Sequence, residues 1–544
     1  MSRDLRYRCN GQVSVYCAAP ATNTVLAPKG VLLRYRRAKI ATRETERDRQ
    51  AECAVMIRLA NVKGALVMVE RMRDVNAPLV EKIFQDFAQR IQTGELAPGA
   101  RLPSVRQLSA QLRVSVFTVV NAYDRLVATG RVMSRRGAGF YVASHQPDQF
   151  LPARRGDREL PHSALELFTQ AVNHDLYKVA PGSGYLPANW VEDAIPPAMW
   201  ANVARRHAES MRASPPEGMS ALRDQLAIRL RQGGIDTKGD DIVTTYGATH
   251  AFDLICTSVL RPGDVVFVED PGYFLLHTQI QQHGMQIVSV PRQADGPDVD
   301  SLEELAAKHR PRAFFTQTLV HNPVGGSTSA TKCHRILSLA ERFDFLVVED
   351  DVYGELAENR TARLAQMDSF RRVAYVGGFS KVLAPGIRVG FTILPSKFKA
   401  AIVRKKILSV IGSSSLIELV VAETLATGQV RHHVAALRER IAKARSQAIR
   451  VLEGAGIEIA DKNIEGFFLW GKMPDGLDVG DIVRRAHGMG ILLAHGSLFS
   501  PSGGCQSYLR FSAPNSLDPR LLEFLSDAIH RAPTRALRLV DGAF

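Results

Sequence analysis

The stretch GGFSKVLAPGIRVGF, residues 377–391, decides how the larger part of this chain is read. Lys381 stands between an aromatic–serine pair, Phe379 and Ser380, and a Pro385–Gly386 turn, with Arg388 seven residues on. Taken alone, Lys381 reads as readily as an ordinary surface lysine in a loop. The apolar run 373–376 leads directly into it, however, and in open α/β sheets ligands gather at the carboxyl ends of strands. The question therefore moves to what the other strand ends carry.

Upstream, apolar strand candidates recur at 242–245, 264–269, 285–290, 313–317 and 345–349, with helical stretches between several of them. That alternation predicts a mostly parallel sheet covered by helices. After the first, YGATHAFDLI is a glycine turn opening a helix, whose start offers the amides of Ala248 and Thr249 to a phosphate. EDPGYF offers Tyr273 as a ring to stack on a planar group, and HNPVGG offers Asn322 as a hydrogen-bond donor. EDDVYGEL carries Asp350, a carboxylate that needs a compensating partner if buried at a strand end, and Tyr353 three residues on. Each has a bland reading by itself: core tyrosine, Asn-Pro turn, helix cap. In this order, each just after an apolar strand, they meet the needs of pyridoxal 5′-phosphate. Lys381 would take the aldehyde and Asp350 would keep the ring nitrogen protonated. Tyr353 would reach the phenolic oxygen, and Arg388 with the helix-start amides would hold the phosphate.

These segments resemble the class I/II aminotransferases of fold type I, over about 181–530. HNPVGG is similar to that family's HNPTG, EDDVYGEL to its Asp-x-x-Tyr segment, and FSKVLAPGIRVGF to its lysine motif. The resemblance implies Lys381 as the Schiff-base lysine and Asp350 as the partner of the pyridine nitrogen. It implies Asn322 and Tyr353 as ligands of the ring oxygen, Tyr273 as the stacking ring and Arg388 as a phosphate ligand. YLRFSAP, near the C-terminus, resembles the segment whose arginine, here Arg510, grips a substrate carboxylate. Two positions depart from the family pattern. Gly378 stands where a Ser or Thr three residues before the lysine is usual, and Val324 replaces the Thr of HNPTG. Both changes remove hydroxyls, and Ser380 is placed to compensate for one. From about 396 onward the chain is helix-rich with a few strands, which predicts a smaller α+β subdomain.

The beginning of the chain asks for something different. The net charge of +14 is concentrated there: residues 1–75 carry 15 Lys/Arg against 7 Asp/Glu, residues 76–143 carry 9 against 4, and the remaining 401 carry 45 against 44. Such asymmetry is expected where one end meets a polyanion. In LVEKIFQDFAQRIQTG, Val80, Ile83, Phe84, Phe87 and Ile91 form one helical stripe. Ser104 is placed to cap a second helix with Val105, Leu108 and Leu112 inward, and Ser115 a third with Val119, Val120, Tyr123 and Leu126. RVMSRRGAGFYVA (131–143) follows as two short strands around a basic, glycine-rich tip. Three helices and a hairpin predict a winged helix-turn-helix.

In that arrangement the third helix presents Ser115, Val116, Phe117 and Thr118 to base edges, where Ser and Thr hydrogen-bond bases or phosphates and Val and Phe pack on thymine methyls. Arg101, Arg106, Arg135 and Arg136 are candidate phosphate clamps, and Gly137 lets the wing approach the backbone. PGARLPSVRQLSAQLRVS, TVVNAYDRL and GAGFYVA resemble the GntR family of bacterial regulators, and the pairing with an aminotransferase-like domain resembles its MocR subgroup. Where that family usually has a polar or basic pair after the capping serine, this chain has Val116 and Phe117.

The expected organisation is thus multidomain: a basic extension over 1–75, a winged helix-turn-helix over 76–143, a linker over 144–180, and an α/β fold-type I domain over 181–544. The extension reads either as a disordered basic arm or as the product of an upstream start codon, with Met68 and Met72 as alternative starts. The run VSVYCAA (13–19) is too short and polar for a signal peptide, and no run approaches the ~20 apolar residues needed to span a bilayer. Cys9, Cys17, Cys53, Cys256, Cys333 and Cys505 are scattered, with no CxxC pair or metal-spaced histidines, as expected of free thiols in a reducing cytoplasm. The leading expectation is a dimeric regulator that binds operator DNA and senses an amino compound through pyridoxal 5′-phosphate. An aminotransferase with accessory DNA binding, and a regulator that has lost its cofactor, are the alternatives.

Overall fold

A computed structural model describes residues 78–135, 138–143, 164–171, 176–358 and 363–530, with two three-residue strands, Thr24–Leu26 and Leu32–Arg34, that pair antiparallel. The rest of the basic extension, the wing-tip residues Arg136 and Gly137, and most of the expected linker lie outside the described residues. The chain divides into two compact units, 1–154 and 155–544.

In the first unit, helix α1 (Leu79–Gln92) packs on α3 (Val116–Ala128), with α2 (Val105–Leu112) between them in sequence. Strands β1 (Val132–Arg135) and β2 (Gly139–Val142) form the expected hairpin. The two helix starts are fixed by their serines. Ser104 and Gln107 form a reciprocal capping box, and the Ser115 hydroxyl accepts from the amide of Thr118. Such caps satisfy backbone donors that the first helical turn leaves free. Ile83, Phe87, Val119, Ala122, Tyr123 and Leu126 fill the core, and the Tyr123 hydroxyl donates to the carbonyl of Pro103 at 3.0 Å. Val120, expected in this stripe, is only partly buried; Ala122 takes its place, because the inward face turns by 100° per residue.

The second unit is built on an eight-stranded sheet: β3 (Ile242–Thr245), β4 (Val265–Asp270), β5 (Gln286–Gln293), β6 (Gly296–Pro297), β7 (Ala313–Thr316), β8 (Leu346–Asp350), β9 (Val373–Gly378) and β10 (Gly390–Ile393). Their spatial order is β3-β10-β9-β8-β7-β4-β5-β6. The five strands from β9 to β5 run parallel, whereas β10 is antiparallel to both of its neighbours and β6 to β5. Alternate residues go to opposite cores: Phe267, Phe314, Val347 and Val373 to one, Val266, Phe315, Val348 and Ala374 to the other. A sheet buried on both faces needs near-continuous apolar strands, which is how these segments read.

Strand β10 was not among the expected strands, although it begins inside the stretch 377–391. Four residues in sequence carry no alternation to mark them, and only pairing with β9 and β3 makes them a strand. A four-stranded antiparallel sheet, β11 (Glu458–Ile459), β12 (Phe468–Lys472), β13 (Ala494–His495) and β14 (Tyr508–Ser512), forms the smaller subdomain in the order β11-β12-β14-β13. Of the segment from about 396 on, its core takes residues only from Ala448, in the last two turns of the helix Gln429–Gly454, and it takes Val179 from upstream. Ile402, Leu419 and Leu437 are buried in the cores of the large sheet instead. Within the span expected as a linker, Ala164–Ala171 is a helix, Leu167 is buried, and Val179 bridges to Ile491.

Candidate cofactor site and DNA-reading surface

The carboxyl ends of β8 and β9 open into a cavity of about 970 Å³ lined by, among others, Tyr185, Tyr273, Asp350, Tyr353, Lys381 and Arg388. Three consecutive acids end β8 and divide the work. Glu349 accepts from the Thr318 hydroxyl at 2.5 Å and from the amides of Leu364 and Ala365, which anchors the strand. Asp351 accepts from Arg363 at 2.7 Å and from Tyr375. Asp350 is left facing the cavity, with the amide of Val352 donating to it at 3.2 Å. Burial pushes its carboxyl up to about 7, helped by the neighbouring Asp351. A buried carboxylate so poorly compensated is suited to a cationic N–H partner.

Beyond the end of β9, Phe379 turns into the core and Lys381 toward the cavity. The Lys381 ammonium donates to the carbonyl of Gly184 at 2.9 Å and lies 4.2 Å from the Tyr185 ring centre and 5.4 Å from that of Tyr353. Its pKa is lowered to about 7, by burial first and then by the like charges of Arg510 and Arg388, with Asp350 opposing them. An amine of that kind is neutral, and nucleophilic, in a large fraction of molecules near neutral pH.

Arg388 takes a left-handed backbone conformation, φ +47°, after the Pro385–Ile387 turn. Its guanidinium donates to the Ser380 hydroxyl at 3.1 Å and to the Tyr246 carbonyl at 3.2 Å. It thereby lies across Gly247, the first residue of helix α4 (Gly247–Ser258): a Cβ there would come within 2.6 Å of it. Ala248 and Thr249 follow in the first turn of α4 and line the same cavity. A guanidinium beside the free amides of a helix start is a ready seat for a phosphate.

Asn322 and Arg510 do not line the cavity but are buried together behind it. Arg510, on β14, donates to Asn322 Oδ1 at 3.0 Å and to the Gly182 carbonyl at 2.5 Å, and its Nε has no partner among the described residues. The guanidinium is held between the rings of Phe468 and Phe499, 4.6 and 4.9 Å from their centres, and burial lowers its pKa to about 10. Asn322 is positioned from below: its amide donates to the Gln317 side chain, and the Gln317 amide to Glu269. Gly184 joins the two halves, since a side chain there would stand about 3.9 Å from both Lys381 Nζ and Arg510 Nη2. Sequence reasoning missed both Tyr185 and Gly184. The run GSGY at 182–185 is the feature that carries them, a glycine-flanked aromatic near the start of the unit.

The donor set fits pyridoxal 5′-phosphate: an amine for its aldehyde, an under-compensated carboxylate for its ring nitrogen, and a guanidinium with helix-start amides for its phosphate. Gly378 lines the cavity without a hydroxyl of its own, and Ser380, which accepts from Arg388, lines it beside Lys381.

On the first unit, Arg101, Arg106 and Arg135 are exposed, and Arg101 and Arg135 lie 5.9 and 4.8 Å from the Tyr141 ring centre. Val116 and Phe117, at the first turn of α3, are 50% and 71% exposed. Ser115 and Thr118, beside them, are hydrogen-bonded to one another at 2.7 Å.

The aminotransferase class I and II family matches residues 182–529, and the bacterial regulatory proteins, gntR family, match residues 79–142. The uncharacterized HTH-type transcriptional regulator YdfD of Bacillus subtilis (strain 168) is 27% identical over 456 residues, covering 80% of this chain and 92% of that protein. The probable rhizopine catabolism regulatory protein MocR of Rhizobium meliloti is 26% identical over 436 residues, covering 77% and 86%. LysN, the alpha-aminoadipate aminotransferase of Thermus thermophilus, solved with N-(5′-phosphopyridoxyl)-L-leucine, superposes with a TM-score of 0.59 at 26% identity, over 68% of this chain and 94% of that one. By its family matches the chain belongs to the class I and II aminotransferases, and by carrying a gntR-type helix-turn-helix ahead of that domain it is a MocR-type transcriptional regulator.

Proposed function

We propose that the chain binds operator DNA as a homodimer in the cytoplasm and changes its DNA affinity when an amino compound enters the cavity holding Lys381. The observation that carries this reading is the assembled set of Lys381, Asp350 and Arg388 in a chain that also bears a helix-turn-helix. Pyridoxal 5′-phosphate supplies, when bound, an aldehyde that condenses with primary amines and a ring that withdraws electrons from them. Arg388 and the amides of Ala248 and Thr249 would bind its phosphate, Asp350 would hold the proton on its ring nitrogen, and Tyr353, with Asn322 from behind the cavity wall, would reach its ring oxygen. Tyr273, which lines the cavity, would stack on the ring. Lys381, neutral in part at pH 7, would be the amine that holds its aldehyde, and Arg510, buried just behind the cavity wall, would face the effector's carboxylate. An effector shifts the equilibrium between DNA-competent and incompetent states only if it binds them unequally, and the contacts around Lys381 would be where that difference arises.

A second reading, multiple-turnover transamination, is favoured by the preservation of Lys381, Asp350, Arg388 and Arg510 together. DNA-binding assays on the region upstream of its own gene, with and without the cofactor and a panel of amino acids and amines, separate the two. Operator affinity that shifts without a keto product supports the regulator; steady keto-acid formation with unchanged affinity supports the enzyme. No response to any compound sinks the sensing model.

A further inference from the structure

The first turn of α3 presents an unusual surface for a helix that reads DNA. Its two hydroxyl groups bond one another: the Ser115 hydroxyl accepts from the Thr118 amide at 3.0 Å and lies 2.7 Å from the Thr118 hydroxyl. Beside the exposed Ser115, two apolar side chains project into solvent, Phe117 at 71% and Val116 at 50% exposure. These two are not surplus core, because the inward face of α3 is complete without them: Val119, Ala122, Tyr123 and Leu126 are fully buried. An exposed phenylalanine and valine side by side cost solubility and call for an occupant. The surrounding charge names one. Arg101, Arg106 and Arg135 are exposed on the same unit, and residues 76–143 hold 9 cationic against 4 anionic side chains.

Resting on the DNA-binding reading above, we propose that Val116 and Phe117 recognise thymine methyl groups in the major groove, so that this chain selects its operator by apolar contact where a polar pair would select it by hydrogen bonds. In the major groove the 5-methyl group of thymine is the one apolar feature of a base-pair edge, and the N-terminal residues of the second helix of a helix-turn-helix are those that reach it. The arginines set register on the phosphates and carry no sequence information themselves. Two consequences follow from the chemistry. Uracil, identical to thymine but for the methyl, is read as a mismatch. 5-Methylcytosine, which carries the same methyl at the same place, is read more favourably than cytosine.

The test uses the full chain with its cofactor. Duplexes are selected from a randomised pool, and the selected sequence is resynthesised with deoxyuridine replacing each thymine in turn. Removing one contacted methyl should weaken binding about fourfold at one or more positions. At such a position 5-methylcytosine should be bound more tightly than cytosine. Phe117→Ala, at an exposed site outside the core, should lower affinity and erase the thymine–uracil difference while leaving the salt dependence unchanged. Val116→Ala should erase it at a neighbouring position. Equal binding of every uracil-substituted duplex, or a thymine–uracil difference that survives both substitutions, overturns the proposal while DNA binding stands. A change of oligomeric state in Phe117→Ala, with all duplexes still bound equally, overturns it in favour of contact with a second copy of this chain. Failure of any sequence to enrich overturns it together with the DNA-binding reading.

Discussion

Lys381 shows how a single side chain acquires its chemistry from neighbours that sequence does not place beside it. Its pKa falls from the ordinary 10.5 to about 7 through burial first, then through the like charges of Arg510 and Arg388. Only the neutral amine attacks an aldehyde. The rate at which the apo protein takes up pyridoxal 5′-phosphate, followed by absorbance, should therefore climb as pH rises through about 7 and level off above it. A solvent-exposed lysine would keep climbing toward pH ~10. Arg510→Gln removes a cation that disfavours the protonated amine, so it should move the inflection to higher pH. Gly378 is the second residue with a consequence of its own. A Cβ there would sit 3.5 Å from the Val389 carbonyl, 3.6 Å from Gly390 Cα and 3.9 Å from the Ala248 amide, so a side chain is accommodated beside the helix start. Gly378→Ser should tighten cofactor binding roughly tenfold, the worth of about one hydrogen bond to a charged group. Equilibrium dialysis against pyridoxal 5′-phosphate measures it, and unchanged affinity would place the phosphate elsewhere.

Among the elements, the turn from β3 into α4 governs the site most directly. Gly247 has φ +74°, and a Cβ at that position would lie 2.6 Å from the Arg388 guanidinium. Gly247→Ala forces that guanidinium aside and puts a non-glycine residue in the left-handed region, at a cost of about 1–2 kcal/mol. Cofactor affinity should fall about tenfold or more, with the winged unit unaffected; an alanine variant that binds as tightly as the parent would remove Arg388 from the phosphate site. Strand ends were legible because a buried strand reads as a continuous apolar run and the polar residue after it breaks the run. Asp350, Tyr353, Lys381 and Arg388 were picked out that way, and all four line one cavity. Strand β10 and Tyr185 were not, because neither is marked by periodicity: one is four residues long, and the other is a lone aromatic whose position against Lys381 is decided by folding. The serines that cap α2 and α3 were legible because capping is a local hydrogen bond.

At the scale of the whole chain, two units with separate cores should respond separately to ligand. At a cofactor concentration 100 times its dissociation constant, the aminotransferase unit should gain about 2.7 kcal/mol while the winged unit gains none. Scanning calorimetry with and without pyridoxal 5′-phosphate should therefore show two transitions, one of which moves. A single shared transition would mean that the units unfold together. No helix among the described residues is long and apolar enough to cross a membrane.

The amino-acid sequence determined by itself the apolar strands of the parallel part of the sheet, the serine-capped helices of the first unit, where the excess charge lies, and which residue types stand at the ends of the parallel strands. All of these are local, set by burial patterns of period 2 or 3.6 and by side chains that bond their own backbone. Only the tertiary structure decided that β10 enters the sheet antiparallel, and that Arg510, far along the chain, meets Asn322 and lies near Lys381. It also decided that Phe117 faces outward while Val119, two residues on, is fully buried. The physical reason is that burial and electrostatics act through space. The charge that lowers the Lys381 amine comes from arginines on other strands and turns, and no spacing in the sequence encodes that distance.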